Sequence, residues 1–535
     1  MALVDAAAGA GRNGGAAVAI GATRPLRSRD VVAVARFRRP VVLDEEAHDR
    51  VGAARGLVER FVAEDRVVYG LTTGFGSLSR VRIPQDELVD LQHNLLESHA
   101  AGVGEPLPRE VVRAMMLLLC NSLAKGHSGV RLELLERVLA LLEHDAIPVV
   151  PSRGSVGASG DLAPLAHLGL AVCGRGRFDC GGELLDAPAA LARAGLEPTF
   201  TLAPKEGLAL VNGTHLMAGL GALLVHDTRT LLETAELAAA LSLDVLLGSA
   251  TPFDDRIHAL RRRDRQREVA ARLRVALADS ELHESHVDCG RVQDAYTLRC
   301  IPQVLGAAWE GFDYVETSIE RELDAVTDNP LCFADDDEVL SGGNFHGQPL
   351  ALPLDTLGVL LGEVAAFSER RTYRLVGERD ADDDLPYFLT PEPGNRSGLM
   401  LLQYVAAALV AENQVLAQPA SLASLPTSAG VEDFNSLGAT SALKARRLLE
   451  NARRIVAIEL LCAAQALDLR RPLRTSALLE RLHERIRSLS AVVDRDRSLA
   501  EDIERVADAL RDGVFADLVP ETPDSVPVTL PIGDA

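Results

Sequence analysis

Residues Gly154 to Pro164, with the sequence G-S-V-G-A-S-G-D-L-A-P, could build an electrophile from the protein's own backbone. Gly157, Ala158, Ser159 and Gly160 are all small, so the backbone here can approach itself closely. If the backbone nitrogen of Gly160 attacks the carbonyl carbon of Ala158, and water leaves from both the ring and the Ser159 side chain, the product is a five-membered ring with an exocyclic methylidene. Because no ordinary side chain is electrophilic, such a ring would attack electron-rich groups without a bound cofactor.

The same composition also fits a simpler structure. Glycine, serine, aspartate and proline are the usual residues of a turn before a helix, in which Ser159 or Asp161 would be the N-cap. The whole string from Gly154 to His167, however, resembles the Ala-Ser-Gly signature of the aromatic amino acid ammonia-lyase and aminomutase family. The resemblance implies that Ala158, Ser159 and Gly160 cyclise autocatalytically to 4-methylideneimidazol-5-one (MIO), with no external cofactor and no metal.

Elimination of ammonia also requires a base, because the β-proton of an amino acid is very weakly acidic. Tyr69 begins a loop rich in glycine and threonine, Y-G-L-T-T-G-F-G, which ends at Gly76. A lone tyrosine beside glycines is most often a packing residue, and a phenol serves as a base only where its surroundings favour the phenolate. The loop resembles the tyrosine loop of the same family, which implies that Tyr69 is the catalytic base.

Arg299 is the candidate for binding the substrate carboxylate, because a guanidinium group can bind a carboxylate through two hydrogen bonds. It ends the segment Q-D-A-Y-T-L-R, which begins at Gln293 and is similar to the family motif Q-D-x-Y-x-x-R. The resemblance implies that Gln293 and Tyr296 are further polar groups of the active site. Without it, Arg299 would be assigned to a surface ion pair.

Two more residues are assigned through the resemblance. Asn212 lies in an otherwise apolar segment that we predict to be helical, and a buried amide must find hydrogen-bond partners. Taken alone this pattern indicates a hydrogen bond between helices, whereas the family places the asparagine against the prosthetic group. Phe345, in S-G-G-N-F-H, resembles the family residue that packs near the ring.

The side-chain end of the pocket decides the substrate. The segment that contains Ser98 and His99 resembles the histidine branch of the family, which has Ser-His where other branches have Phe-Leu or His-Leu. Glu432, in V-E-D, resembles the glutamate that this branch uses beyond the imidazole. A histidine and a carboxylate suit an imidazole, whose two ring nitrogens need one partner each. The implied reaction is the conversion of L-histidine to trans-urocanate and ammonia.

The sequence departs from the histidine branch at four positions and over the stretch 377–384. Thr72 replaces Asn, Gly430 and Val431 replace Asn-Gln, and Phe434 replaces His. The change at positions 430 and 431 removes polar groups close to the predicted active site. Three alternatives therefore stay open: a lyase acting on tyrosine or phenylalanine, a 2,3-aminomutase in a biosynthetic pathway, and a non-catalytic helical scaffold.

The elements that must position these residues are mainly helical. Alanine and leucine dominate, aromatic residues make up 4%, and strand-favouring runs are short. Helical periodicity predicts helices over 28–35, 44–64, 84–99, 111–142 (one or a pair), 206–247, 303–326, 350–373, 400–416, 439–467 and 498–511, with a small hairpin over 175–185. The family resemblance implies a long central helical bundle of the fumarase and aspartase type. We divide the chain into a flexible tail (1–27), an N-terminal domain that carries MIO (28–205), the central bundle (206–475), a C-terminal helical region (476–519) and an extended tail (520–535).

Composition limits the partners. A formal net charge of −22 argues against nucleic acid or an anionic membrane surface as the main partner. The longest uncharged stretch, 207–226, contains Asn212, Thr214 and His215 and fits a buried helix better than a membrane span. Seven scattered cysteines without a C-x-x-C pair predict a reducing, cytoplasmic location. Apolar helices of this length must bury their faces, and the family resemblance implies a homotetramer whose active sites are built from several subunits.

Overall fold

A computed structural model describes residues 16–287, 291–377 and 385–521 of the chain. Three parts of the chain that bear on the sequence predictions lie outside the described residues: the first fifteen residues of the predicted tail, the acidic sequence D-A-D-D-D at 380–384, and most of the predicted extended tail, 522–535.

The fold is mainly α-helical, as the sequence predicts. The described residues form nineteen α-helices: α1 (Ser28–Ala35), α2 (Glu45–Ala63), α3 (Leu88–His99), α4 (Arg109–Ala124), α5 (Leu132–Glu143), α6 (Leu162–Val172), α7 (Ala187–Arg193), α8 (Glu206–Val211), α9 (His215–Val245), α10 (Asp255–Ala259), α11 (Asp264–Ala276), α12 (Glu281–Glu284), α13 (Tyr296–Arg299), α14 (Ile301–Glu322), α15 (Gln348–Val376), α16 (Met400–Leu416), α17 (Gly438–Leu469), α18 (Ala477–Leu489) and α19 (Ala500–Arg511).

The described strands are short and lie at the margins of the helical core. They are β1 (Val18–Ile20), β2 (Val41–Leu43), β3 (Val103–Pro106), β4 (Ala146–Pro148), β5 (Pro151–Arg153), β6 (Arg177–Cys180), β7 (Glu183–Asp186), β8 (Leu331–Phe333) and β9 (Glu338–Leu340). The predicted hairpin is confirmed as β6 and β7, and β4 pairs with β6 to complete a three-stranded sheet. β5 leads directly into the Gly154 segment and pairs with β3.

Three long helices, α9, α15 and α17, run parallel through the centre. At their first turns, the Met217 side chain of α9 packs against Gly438 of α17 and against Gly347, which precedes α15. If either glycine had a Cβ atom, that atom would lie within about 2.5 Å of the Met217 side chain. Further along, Ser242 of α9 and Ser368 of α15 both donate hydrogen bonds to Glu459 of α17, at 2.7 and 2.6 Å. The three helices therefore contact one another both near their first turns and further along, as parallel helices do.

Helix α14 runs antiparallel to α9. Glu322, its last residue, accepts a hydrogen bond of 2.6 Å from Thr214, which directly precedes α9. Near the other end, the Trp309 indole donates to Glu236 at 2.6 Å. The segment that begins α14 therefore lies near the C-terminal end of α9, far from the first turn of that helix.

A buried ion pair joins the three parallel helices. The Arg371 guanidinium donates to both oxygens of Glu459, at 2.6 and 2.8 Å, and both side chains are buried. The hydroxyl groups of Ser242 and Ser368 supply the two other hydrogen bonds of the carboxylate. Because all four donors are provided by the protein, the charge of Glu459 is compensated within the apolar core.

The predicted helix boundaries are close to those observed, with one correction. Helix α1 spans 28–35, as predicted, and Arg27 is its N-cap. Asn212 does not lie within a helix, because α8 ends at Val211 and α9 begins at His215, and Asn212 between them is extended, with φ −82° and ψ 141°. The apolar composition on both sides of this break conceals it in the sequence. The segment 111–142, for which the sequence allows one helix or a pair, contains a pair, α4 and α5.

One helix of the described residues, α15, is long and apolar enough to cross a membrane by length and composition alone. It packs against α14, α16 and α17, and 61% of its most apolar 18-residue stretch is buried inside the protein. The six described cysteines are free thiols, and the described residues contain no cluster of three or more potential metal ligands.

The first prediction concerns the Arg371–Glu459 pair. Glu459→Gln leaves the Arg371 charge buried without its partner, and we expect a loss of about 3–5 kcal/mol in the free energy of unfolding. Thermal and urea denaturation followed by circular dichroism measures the change. The matched control is Glu183→Gln, which breaks the exposed pair with Arg193 and should cost less than about 1 kcal/mol. Equal effects of the two substitutions would contradict a structural role for the buried pair.

Candidate active site

The tripeptide Ala158–Gly160 is held against the break between α8 and α9. The Gly213 N–H donates to the Ser159 carbonyl at 3.3 Å, and the Asp161 N–H donates to the Gly213 carbonyl at 2.8 Å. Gly160 has φ +76°, and a Cβ atom at this position would lie 2.0 Å from the Gly213 oxygen. Only glycine fits here, so two short backbone segments approach as closely as the small residues of the signature predict.

A second contact closes the loop from the other side. The Ser436 hydroxyl donates to the Gly157 carbonyl at 3.2 Å, and the Leu437 N–H donates to the Val156 carbonyl at 2.9 Å. Gly157 also has a positive φ, +70°, and a Cβ atom there would lie 2.0 Å from the Ser436 oxygen. The Ala-Ser-Gly tripeptide is therefore enclosed between the start of α9 and the start of α17.

Asp161 links the loop to the first turn of α9. One of its oxygens accepts hydrogen bonds from the N–H groups of Leu216 and Met217, both at 3.0 Å, and the other accepts from the Ser155 hydroxyl at 2.9 Å. Complete burial raises the pKa of Asp161 to about 6, and these three hydrogen bonds oppose that rise. Asp161 directly precedes α6, but its side chain makes no cap hydrogen bond to that helix. Its carboxylate caps the first turn of α9 instead.

Four helices begin around the tripeptide. Helix α6 starts two residues after Gly160, α9 starts beside Gly213, and α17 starts just after Ser436. Helix α15 joins them through Gly347, whose Cβ position would lie 2.7 Å from the Ser436 oxygen. Helix N-termini carry partial positive charge, so this end of the bundle favours electron-rich and anionic groups.

The structure brings Glu432 to Ser159, 273 positions earlier in the chain. The Ser159 hydroxyl donates to Glu432 Oε1 at 3.3 Å, and the Thr427 hydroxyl donates to Glu432 Oε2 at 2.7 Å. Both carboxylate oxygens of Glu432 therefore act as hydrogen-bond acceptors.

Tyr69 lies on a loop that contacts the loop of Glu432. Its phenol oxygen accepts a hydrogen bond of 3.1 Å from the Gly76 N–H. Gly76 in turn lies against Ser428 of the Glu432 loop, since its Cβ position would be 2.7 Å from the Ser428 oxygen. The loop of the predicted base and the loop of the predicted carboxylate are thus in direct contact.

Asn212 is anchored by groups that the sequence did not single out. Its side-chain amide donates to the Asn329 carbonyl at 2.8 Å and to Asp328 Oδ1 at 3.4 Å. The other oxygen of Asp328 accepts from Lys205 at 2.6 Å, and both side chains of this ion pair are buried. Lys205 and Asp328 are 123 positions apart and match no motif, so only the folded chain reveals them.

His99 and Phe345 lie on segments that border this region. His99 is the last residue of α3, is half-buried, and has Nδ1 3.0 Å from the Ser98 hydroxyl. Shortly after it, the Gly102 backbone packs beside Gly154, the first residue of the signature. Phe345 is half-buried, and its neighbour His346 donates from Nε2 to the Phe434 carbonyl at 3.0 Å.

The remaining three predicted residues are at the other end of the bundle. Gln293 and Tyr296 are exposed, Tyr296 to 70%, and the Arg299 guanidinium lies 4.7 Å from the centre of the Tyr296 ring. Ser249, just beyond the C-terminal end of α9, donates to Asp294 of this segment at 2.6 Å. Because α9 has 31 residues, its two ends are roughly 45 Å apart. One chain therefore does not bring these three residues to its own Ser159.

The positions that depart from the histidine branch have separate structural explanations. The Thr72 hydroxyl is buried and donates to the Arg66 carbonyl at 2.6 Å, so it fixes the Tyr69 loop. Gly430 has φ +85°, a conformation that glycine and asparagine both tolerate. Val431 and Phe434 are 60% and 57% exposed, so neither fills a cavity within the single chain.

The fold and this arrangement of residues agree with a known family. Residues 26–488 match the family model described as aromatic amino acid lyase. The chain therefore belongs to the aromatic amino acid lyase family and is a carbon–nitrogen lyase.

Individual relatives within this similarity are named for particular activities. The chain is 51% identical over 490 residues to the histidine ammonia-lyase of Gloeobacter violaceus, covering 92% of this chain and 95% of that protein. It is 49% identical over 488 residues to the histidine ammonia-lyase of Myxococcus xanthus, covering 91% and 96%. Among solved structures, the histidine ammonia-lyase of Trypanosoma cruzi is similar with a TM-score of 0.86 and 40% identity, over 94% of this chain and 95% of that chain. The tyrosine aminomutase of Streptomyces globisporus has a TM-score of 0.88 and 35% identity, over 96% and 100%.

The second prediction tests the close backbone approach at Gly160. Gly160→Ala places a methyl group against the Gly213 carbonyl, so we expect loss of the folded loop and little soluble protein. Gly176→Ala is the control, because Gly176 has a similar φ of +82° but open space around its Cβ position. That control should cost only about 1–2 kcal/mol. Soluble yield and thermal midpoint measure both variants, and similar behaviour of the two would contradict the steric argument.

Proposed function

We propose that this protein is a histidine ammonia-lyase, which converts L-histidine to trans-urocanate and ammonia. The observation that carries the proposal is the hydrogen bond between Ser159 and Glu432, which places a carboxylate beside the atoms that would become the electrophile. The histidine ammonia-lyases at about 50% identity support the same substrate.

The residues around Ala158–Gly160 fit the MIO group. A Cβ atom at Gly157 or Gly160 would collide with neighbouring atoms. Because both residues are glycine, the backbone can fold tightly across Ser159. Asp161 and Gly213 hold one side of the tripeptide and Ser436 holds the other. When formed, MIO supplies an electrophile that captures the substrate amine and turns it into a better leaving group.

In the proposed mechanism, Tyr69 removes the β-proton of the substrate. The Gly76 N–H donates to the phenol oxygen of Tyr69 and so fixes the position of that oxygen. Contact between Gly76 and Ser428 keeps this oxygen on the Glu432 side of the site. Asn212 is fixed by Asn329 and Asp328, and it directly precedes Gly213, whose backbone is hydrogen-bonded to Ser159 and Asp161.

We assign recognition of the imidazole ring to His99 and Glu432. The Ser98 hydroxyl occupies Nδ1 of His99, which leaves Nε2 for a substrate nitrogen. Glu432 can accept from the second ring nitrogen, so each nitrogen has one partner. A phenyl ring would leave both protein groups unpaired at a cost in binding. Phe345 supplies apolar contact beside them.

The substrate carboxylate is assigned to Arg299, with Gln293 and Tyr296 beside it, from another subunit. These residues lie roughly 45 Å from Ser159 of the same chain. Helix α16 presents large apolar side chains to the outside, among them Leu401, Tyr404, Val405 and Val415. Such a face is typical of a subunit contact. We therefore propose a homotetramer with shared active sites, located in the cytoplasm, as the free thiols favour.

The third prediction tests the reaction. We expect the purified protein to produce urocanate from L-histidine, detected by its ultraviolet absorbance, and to act poorly on tyrosine and phenylalanine. Ser159→Ala removes the hydroxyl that must be lost to form the methylidene and should abolish activity. Intact mass should show the loss of two waters in the wild type and not in Ser159→Ala.

Three other results of this experiment would contradict the proposed substrate, the proposed reaction or catalysis itself. Conversion of tyrosine or phenylalanine without conversion of histidine would overturn the proposed substrate. A β-amino acid product would indicate an aminomutase, the activity of the Streptomyces globisporus neighbour. A wild-type mass without the loss of two waters would point to a non-catalytic scaffold.

The fourth prediction tests the shared site. Ser159→Ala and Arg299→Gln are each expected to be inactive, but coexpression in one cell should restore activity, because a site can take Ser159 from one chain and Arg299 from another. With random association in a symmetric oligomer, about a quarter of the sites are intact. Separately purified variants mixed without exchange of subunits provide the control. Coexpressed oligomers with no more activity than the parents would show that each site is built within one chain.

A further inference from the structure

The turn that carries Glu432 is strained and closed by one residue, Thr427. Ser428, Ala429 and Gly430 have φ of +50°, +54° and +85°, and the first two are not glycine. Backbone in this region persists only where the surroundings enforce it. Here the Thr427 N–H donates to the Glu432 carbonyl at 2.8 Å, so the two ends of the turn are bonded to each other.

The direction of the side-chain hydrogen bond at Thr427 is fixed by its neighbours. The Asn435 amide nitrogen donates to the Leu425 carbonyl at 2.6 Å, and a carbonyl only accepts, which sets the orientation of the amide. The same nitrogen donates to Thr427 Oγ1 at 3.2 Å. The single hydroxyl proton of Thr427 is therefore left for Glu432 Oε2, 2.7 Å away.

The hydrogen bond to the other oxygen of Glu432, Oε1, is lost when Ser159 is dehydrated. Oε1 accepts from the Ser159 hydroxyl at 3.3 Å. Formation of the methylidene removes the Cα proton and the Cβ hydroxyl of Ser159 as one water and forms a Cα–Cβ double bond, while a second water leaves from the ring. After this step the hydrogen bond to Oε1 no longer exists, whereas the bond from Thr427 to Oε2 is unchanged.

We propose that Thr427 is a positioning residue that holds Oε2 of Glu432, so that dehydration of Ser159 frees Oε1 alone for the substrate. The inference rests on the proposed function and extends it, because the two carboxylate oxygens then have separate roles. One oxygen orients the side chain, and the other accepts from an N–H group of the bound amino acid. Without the hydroxyl of Thr427, the carboxylate can rotate and either oxygen can turn away from the ligand.

The fifth prediction measures binding without turnover. Ser159→Ala lacks both the hydroxyl and the electrophile, so Oε1 is free and L-histidine should bind without reacting. We expect L-histidine to raise the thermal midpoint of Ser159→Ala, and this shift to be largely lost in Ser159→Ala combined with Thr427→Val. Thr427→Ser keeps the hydroxyl and should restore the shift. Thr199→Val, an exposed threonine elsewhere, is the matched control for the chemical change.

A kinetic comparison in the otherwise wild-type chain accompanies the binding measurement. Thr427→Val should raise KM for L-histidine about tenfold, the effect of losing one hydrogen bond to a charged group, while intact mass still shows the loss of two waters. Equal KM values for Thr427→Val and wild type, together with equal thermal shifts for Ser159→Ala with and without Thr427→Val, would overturn the proposal. If the wild type converts another amino acid of the panel, the same comparison is made with that amino acid, so a wrong substrate is distinguished from a wrong role for Thr427.

Discussion

The contact between the Gly160 backbone and the Gly213 carbonyl is the constraint on which the rest of the site depends. A Cβ atom at Gly160 would lie 2.0 Å from that carbonyl, so the two segments can meet only because no side chain intervenes. Gly213 in turn lies in the break between α8 and α9. The position of the tripeptide is therefore set by the point at which a long helix begins, and that point is held by the carboxylate of Asp161.

Buried charges hold both levels of the bundle in register. Asp161 and the pair of Lys205 with Asp328 lie near the tripeptide, and the pair of Arg371 with Glu459 lies further along the helices. Each carboxylate accepts hydrogen bonds from donors on other elements, which satisfies it and leaves little freedom for the helices to shift. This rigidity matters for the proposed function, because a ring formed from the tripeptide would inherit the orientation of the chain that forms it.

The sequence predicts the helices well because their apolar periodicity is long and strong. It fails at Asn212, where apolar residues on both sides hide a break, and it gives no sign of Lys205 or Asp328, since a buried ion pair over 123 positions leaves no local pattern. The resemblance names the site residues but not their distribution in space. That Gln293, Tyr296 and Arg299 lie at the opposite end of α9 from Ser159 follows only from the antiparallel course of α14 along α9. The roles of these residues stay predictions.

The left-handed backbone at Gly430 restricts which residues the turn before Glu432 can carry. Position 430 is limited to residues that tolerate φ near +85°, chiefly glycine and asparagine. Val431 and Phe434 stand largely exposed in the single chain and carry no such restriction. The side chains at positions 431 and 434 can therefore be exchanged while the turn keeps its shape.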